Sequence, residues 1–179
     1  MIMIALKVNK KGILKPDKSK LKDSERLLIM EERFMETNRI IQLCIVVKNV
    51  EVTARNYADI FGMDMPEIIL TDPLEYSQNE YKGRLTNARA KIAFFQMGDI
   101  ELEILEPNEV DSTWREFLDK NGEGVHHIAF YIKDMKKTMS MLESKGMPVV
   151  QKANYPYGIV ACMDTKEKLG VILELLERP

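Results

Sequence analysis

The chain has 179 residues, 45% apolar and 30% charged, with a formal net charge of −2 at neutral pH. That size admits one domain or two small ones sharing a core, and the near-neutral charge leaves no footprint for a nucleic-acid partner. Cys44 and Cys162 stand far apart with no C-x-x-C pair, so no disulfide framework is expected and the chain reads as cytoplasmic. No apolar run is long enough to cross a bilayer, and residues 1–6 are too short for a signal h-region. No membrane partner is expected.

Residues 1–38 read as a basic N-terminal arm. The stretch 7–22 is lysine-rich and carries Gly12 and Pro16, which fits a loosely attached segment. Residues 21–34 could form a helix presenting Leu27, Leu28, Met30 and Phe34. The arm reads as a solvated appendage, with packing across a partner as the alternative, and a homodimer is expected. From residue 39 the pattern turns regular. Residues 40–47 are almost continuously apolar, as in a strand buried on both faces. Asn49 offers an N-cap, Val50, Ala54, Tyr57 and Phe61 follow helical spacing, and Gly62 ends the helix. Residues 72–87 read as a long loop. Strands are expected over 90–96 and 100–105, joined by a turn at Gly98-Asp99. The connector 111–124 holds a short helix with Thr113 and Glu116 as a capping box.

The pattern then repeats. A strand over 127–132 leads to an N-cap at Asp134 and a helix carrying Met135, Met139 and Leu142, before strands over 148–152, 158–163 and 171–176. The first strand and helix recur at an offset of 85 residues. The closing strands, Leu102-Glu103-Ile104-Leu105-Glu106 and Leu173-Glu174-Leu175-Leu176-Glu177, recur at 71. The chain is therefore expected to be α+β. Two βαβββ modules, 39–110 and 125–179, explain the repeat; if their sheets curl together into a half-open mixed β-barrel, the polar positions that the repeat matches converge in its cavity as a metal site.

In that alignment Gln42 falls on His127 and Glu103 on Glu174. Each module offers one polar residue near the start of its first strand and one carboxylate in its last. Polar groups inside apolar strands cost roughly 2–7 kcal/mol if left unpaired, and one shared divalent cation would satisfy all four. The donor set suits Zn, Co, Ni or Mn with open positions for water, as catalysis requires, and is unlike a closed thiolate zinc site. Adjacent strand residues face opposite ways, so only one of His126 and His127 is expected to reach the cavity; His127 is chosen because it matches Gln42. Cys44 reads as a small packing residue.

These residues resemble the vicinal-oxygen-chelate superfamily over 39–177. Gln42 matches its first-strand ligand and Glu103 its last-strand ligand. Gly124-Val125-His126-His127-Ile128-Ala129 matches the Gly-x-His-His-Ile-Ala segment, and Gly170-Val171-Ile172-Leu173-Glu174-Leu175 the closing one. The second half is most similar to methylmalonyl-CoA epimerase, through Ser112, Phe117-Leu118, Gly122-Glu123-Gly124 and Asp164-Thr165-Lys166. The resemblance implies an enzyme, a metal-dependent epimerase moving a proton next to a carbonyl or thioester, on a small-molecule substrate such as an acyl-CoA. Lactoylglutathione lyase (glyoxalase I) shares the ligand pattern and is the alternative, as is a metal-free binding or resistance protein. An extradiol dioxygenase would need a second histidine in the cavity. The position of an epimerase general base corresponds to Lys91, a departure from the family. Glu174 and Glu101 are therefore taken as the acid/base pair, with Lys82, Arg84, and especially Arg89 and Lys91, as candidate contacts to the substrate's phosphates.

Overall fold

The computed structural model describes Leu6–Val8, Leu14–Pro16, Met35 and Thr37–Arg178. The chain divides into two units, Met1–Glu36 and Thr37–Pro179. In the first, β1 (Leu6–Val8) pairs antiparallel with β2 (Leu14–Pro16), setting Val8 opposite Leu14. The basic stretch expected as a loose segment thus carries a strand pair. The helix expected over 21–34 lies outside the described residues.

The second unit runs β3 (Gln42–Val46), α1 (Val50–Phe61), β4 (Ile69–Leu70), α2 (Leu74–Ser77), β5 (Glu80–Tyr81), β6 (Arg84–Leu85), β7 (Ala90–Met97) and β8 (Ile100–Pro107). It continues α3 (Thr113–Asn121), β9 (Gly124–Tyr131), α4 (Met135–Glu143), β10 (Val149–Tyr155), β11 (Gly158–Met163), α5 (Lys166–Leu169) and β12 (Ile172–Glu177). Its strands form one mixed sheet in the order β4-β7-β8-β3-β9-β12-β11-β10-β5-β6, curled into a half-barrel. The first strand of each module lies parallel to the last strand of its own module and antiparallel to its counterpart. Leu43 stands opposite Ile128, with Gln42 against Ala129 and Cys44 against His127. These pairs exchange under the 85-residue offset, so the β3–β9 seam is a local two-fold axis, and it brings the matched polar positions of both modules to one place.

Local chemistry sets the helices. Asn49 Oδ1 accepts from Val52 N and Asp134 Oδ1 from Lys137 N, and Gly62 closes α1 at φ 63°, as the left-handed C-terminal position favours. At α3 the expected Thr113–Glu116 box is displaced by one residue. Ser112 is the N-cap, its Oγ accepting from Arg115 N, which leaves the Thr113 hydroxyl for another partner. The expected long loop is also more ordered than its composition suggests. Lys82 and Gly83 both take positive φ, 49° and 75°, as a two-residue hairpin turn demands. The resulting β5–β6 hairpin adds to β10, with Tyr81 opposite Gln151.

The two faces of the sheet are covered differently. On one, α1 packs Val50, Ala54 and Ala58 against Ala93, Phe95, Leu102 and Ile104. On the other, Trp114, Phe117 and Leu118 of α3 pack against Cys44, Val46, Ala90, Ile92 and Leu105. Strand alternation puts Gln42, Glu101, Glu103, His127 and Glu174 on this second face.

Candidate metal centre

Register places the polar side chains in two adjoining rows. One row runs Gln96, Glu101, Gln42, Ala129, Glu174, Cys162, Gln151; the next runs Phe94, Glu103, Cys44, His127, Ile172. Glu103 and Glu174 come from different modules yet meet at one atom. Each has an Oε2 3.3 Å from His127 Nε2. The exposures are 1% for His127, 7% for Glu103 and 6% for Glu174, so little water screens the cluster. Gln42 sits one strand over, its Nε2 donating to Glu101 Oε1 at 2.8 Å. Its amide hydrogen is thereby engaged by Glu101, leaving its carbonyl oxygen as the free donor atom.

The electrostatics are unbalanced in a way that fits a cation. Two buried carboxylates face one imidazole, so at most one positive charge offsets two negative ones. His127 Nε2 is itself buried without a hydrogen bond. Burial alone would depress the His127 imidazole, but Cys44, Glu174 and Glu103 around it outweigh burial and hold it well above its ordinary range. Two thiols border the cluster. Burial, then the charge of Glu103, pushes Cys44 up; burial, then Glu174, raises Cys162, whose Sγ lies 3.7 Å from Glu174 Oε1. Both are protonated at neutral pH. Two carboxylates and an imidazole meet here, with the Gln42 amide in the adjoining row; such hard donors in a partly open arrangement would suit a divalent cation of the Mn-to-Zn series. A second grouping, Cys44 with His126 and His127, also brings three ligand atoms within 4.8 Å of one another. It lies in the sealed core, with Cys44 at 0% exposure, and it leaves both carboxylates uncompensated, so the carboxylate set is the better cage.

His126 departs from the sequence reading. Strand alternation was expected to turn it away from His127, yet the two Nδ1 atoms are 3.0 Å apart. The register between β3 and β9 slips at this point: Cys44 pairs with His127, and Ile45 pairs with Val125. His126 is the extra residue of a β-bulge, which breaks the alternation. Its Nε2 lies 2.8 Å from Thr113 Oγ1 and its ring stands edge-on to Phe117. Burial, then the neighbouring His127 charge, pushes it well below its ordinary value. The sequence reading set His126 aside, took Thr113 only as a helix cap and Cys162 only as an unpaired cysteine; a bulge and a cross-strand neighbour leave no periodic signal that would place them at the site.

The remaining candidates fall on both sides of the sheet. Glu101 is on the cluster face beside Gln42. Lys91 is not: it pairs with Glu106 and lies 3.8 Å from Glu51 of α1 and 3.6 Å from Glu106, on the opposite face, the one that α1 covers. Arg89 precedes β7 with its Nε donating to Thr71 O. The structure brings neither beside the cluster. Lys82 is ion-paired to Glu116 at 2.7 Å and borders an open groove of about 890 Å³ with Arg84 and Arg115. A smaller recess of about 110 Å³, also bordered by Lys82, has Thr113 and His126 in its wall and Lys120 and Lys166 at its rim.

A cupped sheet of two βαβββ modules, with an acid–imidazole cluster at their seam, defines the class of this protein. Residues 41–162 match the model of the glyoxalase/bleomycin resistance protein/dioxygenase superfamily, and the chain belongs to that superfamily. It is 34% identical over 94 residues to YqjC of Bacillus subtilis, an uncharacterized protein, covering 50% of this chain and 66% of that one, just under two thirds. A hypothetical protein from Bacillus halodurans shares the fold, with a TM-score of 0.58 at 23% identity over 80% of this chain and 96% of that one. Streptomyces coelicolor methylmalonyl-CoA epimerase in complex with 2-nitronate-propionyl-CoA superposes with a TM-score of 0.55 at 28% identity, over 78% of this chain and 96% of that one. Among the described residues no helix is long and apolar enough to cross a membrane.

Proposed function

We propose that this chain is a divalent-metal-dependent isomerase that moves a proton on the carbon next to a carbonyl, with an acyl-CoA thioester as its substrate class. The observation that carries this reading is the convergence of Glu103 and Glu174 on His127 Nε2, each at 3.3 Å, in a nearly dry site. The likeness to an epimerase that holds a propionyl-CoA derivative supports the substrate class. A cation held by Glu103, His127 and Glu174, with the Gln42 carbonyl oxygen as fourth donor, would supply Lewis acidity to a carbonyl oxygen.

The chain's own residues do the rest. Gln42 holds one oxygen of Glu101 through its amide hydrogen and leaves the other to take the proton from the α-carbon. Glu174 lies across the β3–β9 seam from Glu101 in the same row; released from the cation when the substrate binds, and carrying a proton taken up from solvent, it would return that proton to the opposite face of the carbon, while Glu101 gives up the proton it took. Side chains from β8 and β12 do converge over the seam, since Glu103 and Glu174 on those strands both reach His127. The scarcity of solvent around the cluster strengthens each of these interactions.

The test is deuterium exchange into the α-position of methylmalonyl-CoA by protein stripped with chelator and then reloaded with zinc, cobalt, nickel or manganese. Exchange that appears only on reloading supports the reading. Full activity after exhaustive chelation, or turnover of a hemithioacetal with no acyl-CoA exchange, overturns it.

A further inference from the structure

The isomerase reading makes no use of His126, although it is buried, polar and hydrogen-bonded at both ring nitrogens. Three groups form an unbroken line: His127 Nδ1 to His126 Nδ1 at 3.0 Å, then His126 Nε2 to Thr113 Oγ1 at 2.8 Å. The far end is anchored in turn, because Thr113 N donates to Gln151 Oε1 at 2.8 Å. Gln151 is on β10, so the line ties the cluster to α3 and to the outer strands of the second module.

Two facing Nδ1 atoms can hold one proton between them. With both rings neutral, as a metal-loaded site requires, a proton on His127 Nδ1 leaves its Nε2 lone pair for the cation, His126 accepts at Nδ1, and His126 Nε2–H donates to Thr113 Oγ1. With the opposite polarity Thr113 donates to His126 Nε2 and His126 donates to His127. His127 then needs its own hydrogen on Nε2, where a cation would have to sit. The two states hold the same number of protons and differ in which atom faces the carboxylates.

We propose that His126 and Thr113 are positioning residues that hold His127 with its proton on Nδ1 and its Nε2 lone pair aimed at the metal. The β-bulge at His126 is what makes this possible, since an unbroken strand would turn the His126 ring to the other face of the sheet. Outer partners of this kind fix the tautomer and orientation of a metal-bound imidazole, and their loss typically lowers metal affinity about 10- to 100-fold. This inference rests on the metal reading above.

The experiment measures zinc affinity by competition with a chromogenic chelator for wild type, His126→Phe, His126→Asn, Thr113→Val and Thr113→Ser. It is paired with nitrogen-15 spectra of the histidine rings in the zinc-loaded protein. His126→Phe is expected to weaken zinc binding 10- to 100-fold, with partial rescue in His126→Asn, whose amide oxygen can accept from His127. Thr113→Val, which keeps the side chain's shape, is expected to lose roughly 3- to 10-fold, the value of one hydrogen bond, and Thr113→Ser to restore it. The wild-type spectra are expected to show His127 protonated at Nδ1 and His126 at Nε2. His126 protonated at Nδ1, or wild-type zinc affinity in both His126→Phe and Thr113→Val, overturns the inference and leaves the metal site standing. Should His126→Phe fail to fold, the Thr113 pair decides alone. Wild-type protein that takes up no zinc overturns the metal reading, and this inference with it.

Discussion

Replacing His127 with alanine removes the imidazole that two buried carboxylates face, their one cationic partner among the described residues, and the consequence for the metal-free protein can be worked from the geometry. Glu103 and Glu174 each lie 3.3 Å from His127 Nε2 at 7% and 6% exposure, so neither can turn to water. The variant also strands His126 Nδ1 and opens a small void. Breaking a buried ion pair from one side costs about 3–5 kcal/mol in all, and that is the expected loss in guanidinium unfolding with chelator present. The sign of the pH dependence follows from the raised folded value of His127. Its contribution is complete below the unfolded value near 6.5 and fades as pH climbs through the folded one. The gap between wild type and His127→Ala should therefore be widest near about pH 6 and narrow above it. A loss under about 1 kcal/mol, or a gap that widens with pH, would refute the reasoning.

Other outcomes follow from single contacts. Glu101→Gln should slow α-deuterium exchange about 10²- to 10⁴-fold with zinc content unchanged, measured by exchange and by metal analysis of the same sample. Glu116 is held down to about 2 by hydrogen bonds from Lys120, Lys82 and Tyr81; its stabilisation is present above its ordinary value of 4.5 and lost as pH falls through 2. Because the lysines are mostly exposed, Glu116→Gln should cost only about 0.5–1 kcal/mol at pH 7 and nothing at pH 2, read from acid unfolding curves. Gly158 sits at φ 147°, where an added Cβ would lie 1.8 Å from the backbone oxygen of Glu177. Gly158→Ala should therefore destabilise the β11–β12 pairing by several kcal/mol, seen as a drop in Tm.

What could be read in advance depended on whether a feature is periodic. The repeat is: apolar alternation and the helix caps at Asn49 and Asp134 are local signals, and matching them brought Gln42 to His127 and Glu103 to Glu174. The structure then supplied the two-fold seam that explains why Glu103 and Glu174 meet at His127, with Gln42 one strand over beside Glu101. The bulge at His126 is aperiodic, one extra residue whose only trace is a register slip against Cys44 and Ile45, so alternation misassigned its face. Capping by Ser112 in place of Thr113 is an error of one residue between two hydroxyls. Lys91 could have been placed better. The two-residue turn at Gly98-Asp99 sets Met97 opposite Ile100, and counting back puts Phe94, not Lys91, beside Glu103. The β5–β6 hairpin had a signal in Lys82-Gly83, but strands of two residues carry too few side chains to show alternation.

The most direct measurement is anomalous diffraction from zinc-loaded crystals of the full chain. The account expects one peak per chain, about 2.0–2.2 Å from His127 Nε2 and from a carboxylate oxygen of Glu103 and of Glu174, on the side facing the Gln42 amide. A peak bound instead by Cys44 Sγ and the Nδ1 atoms of His126 and His127, or no peak within reach of the two carboxylates, would contradict it.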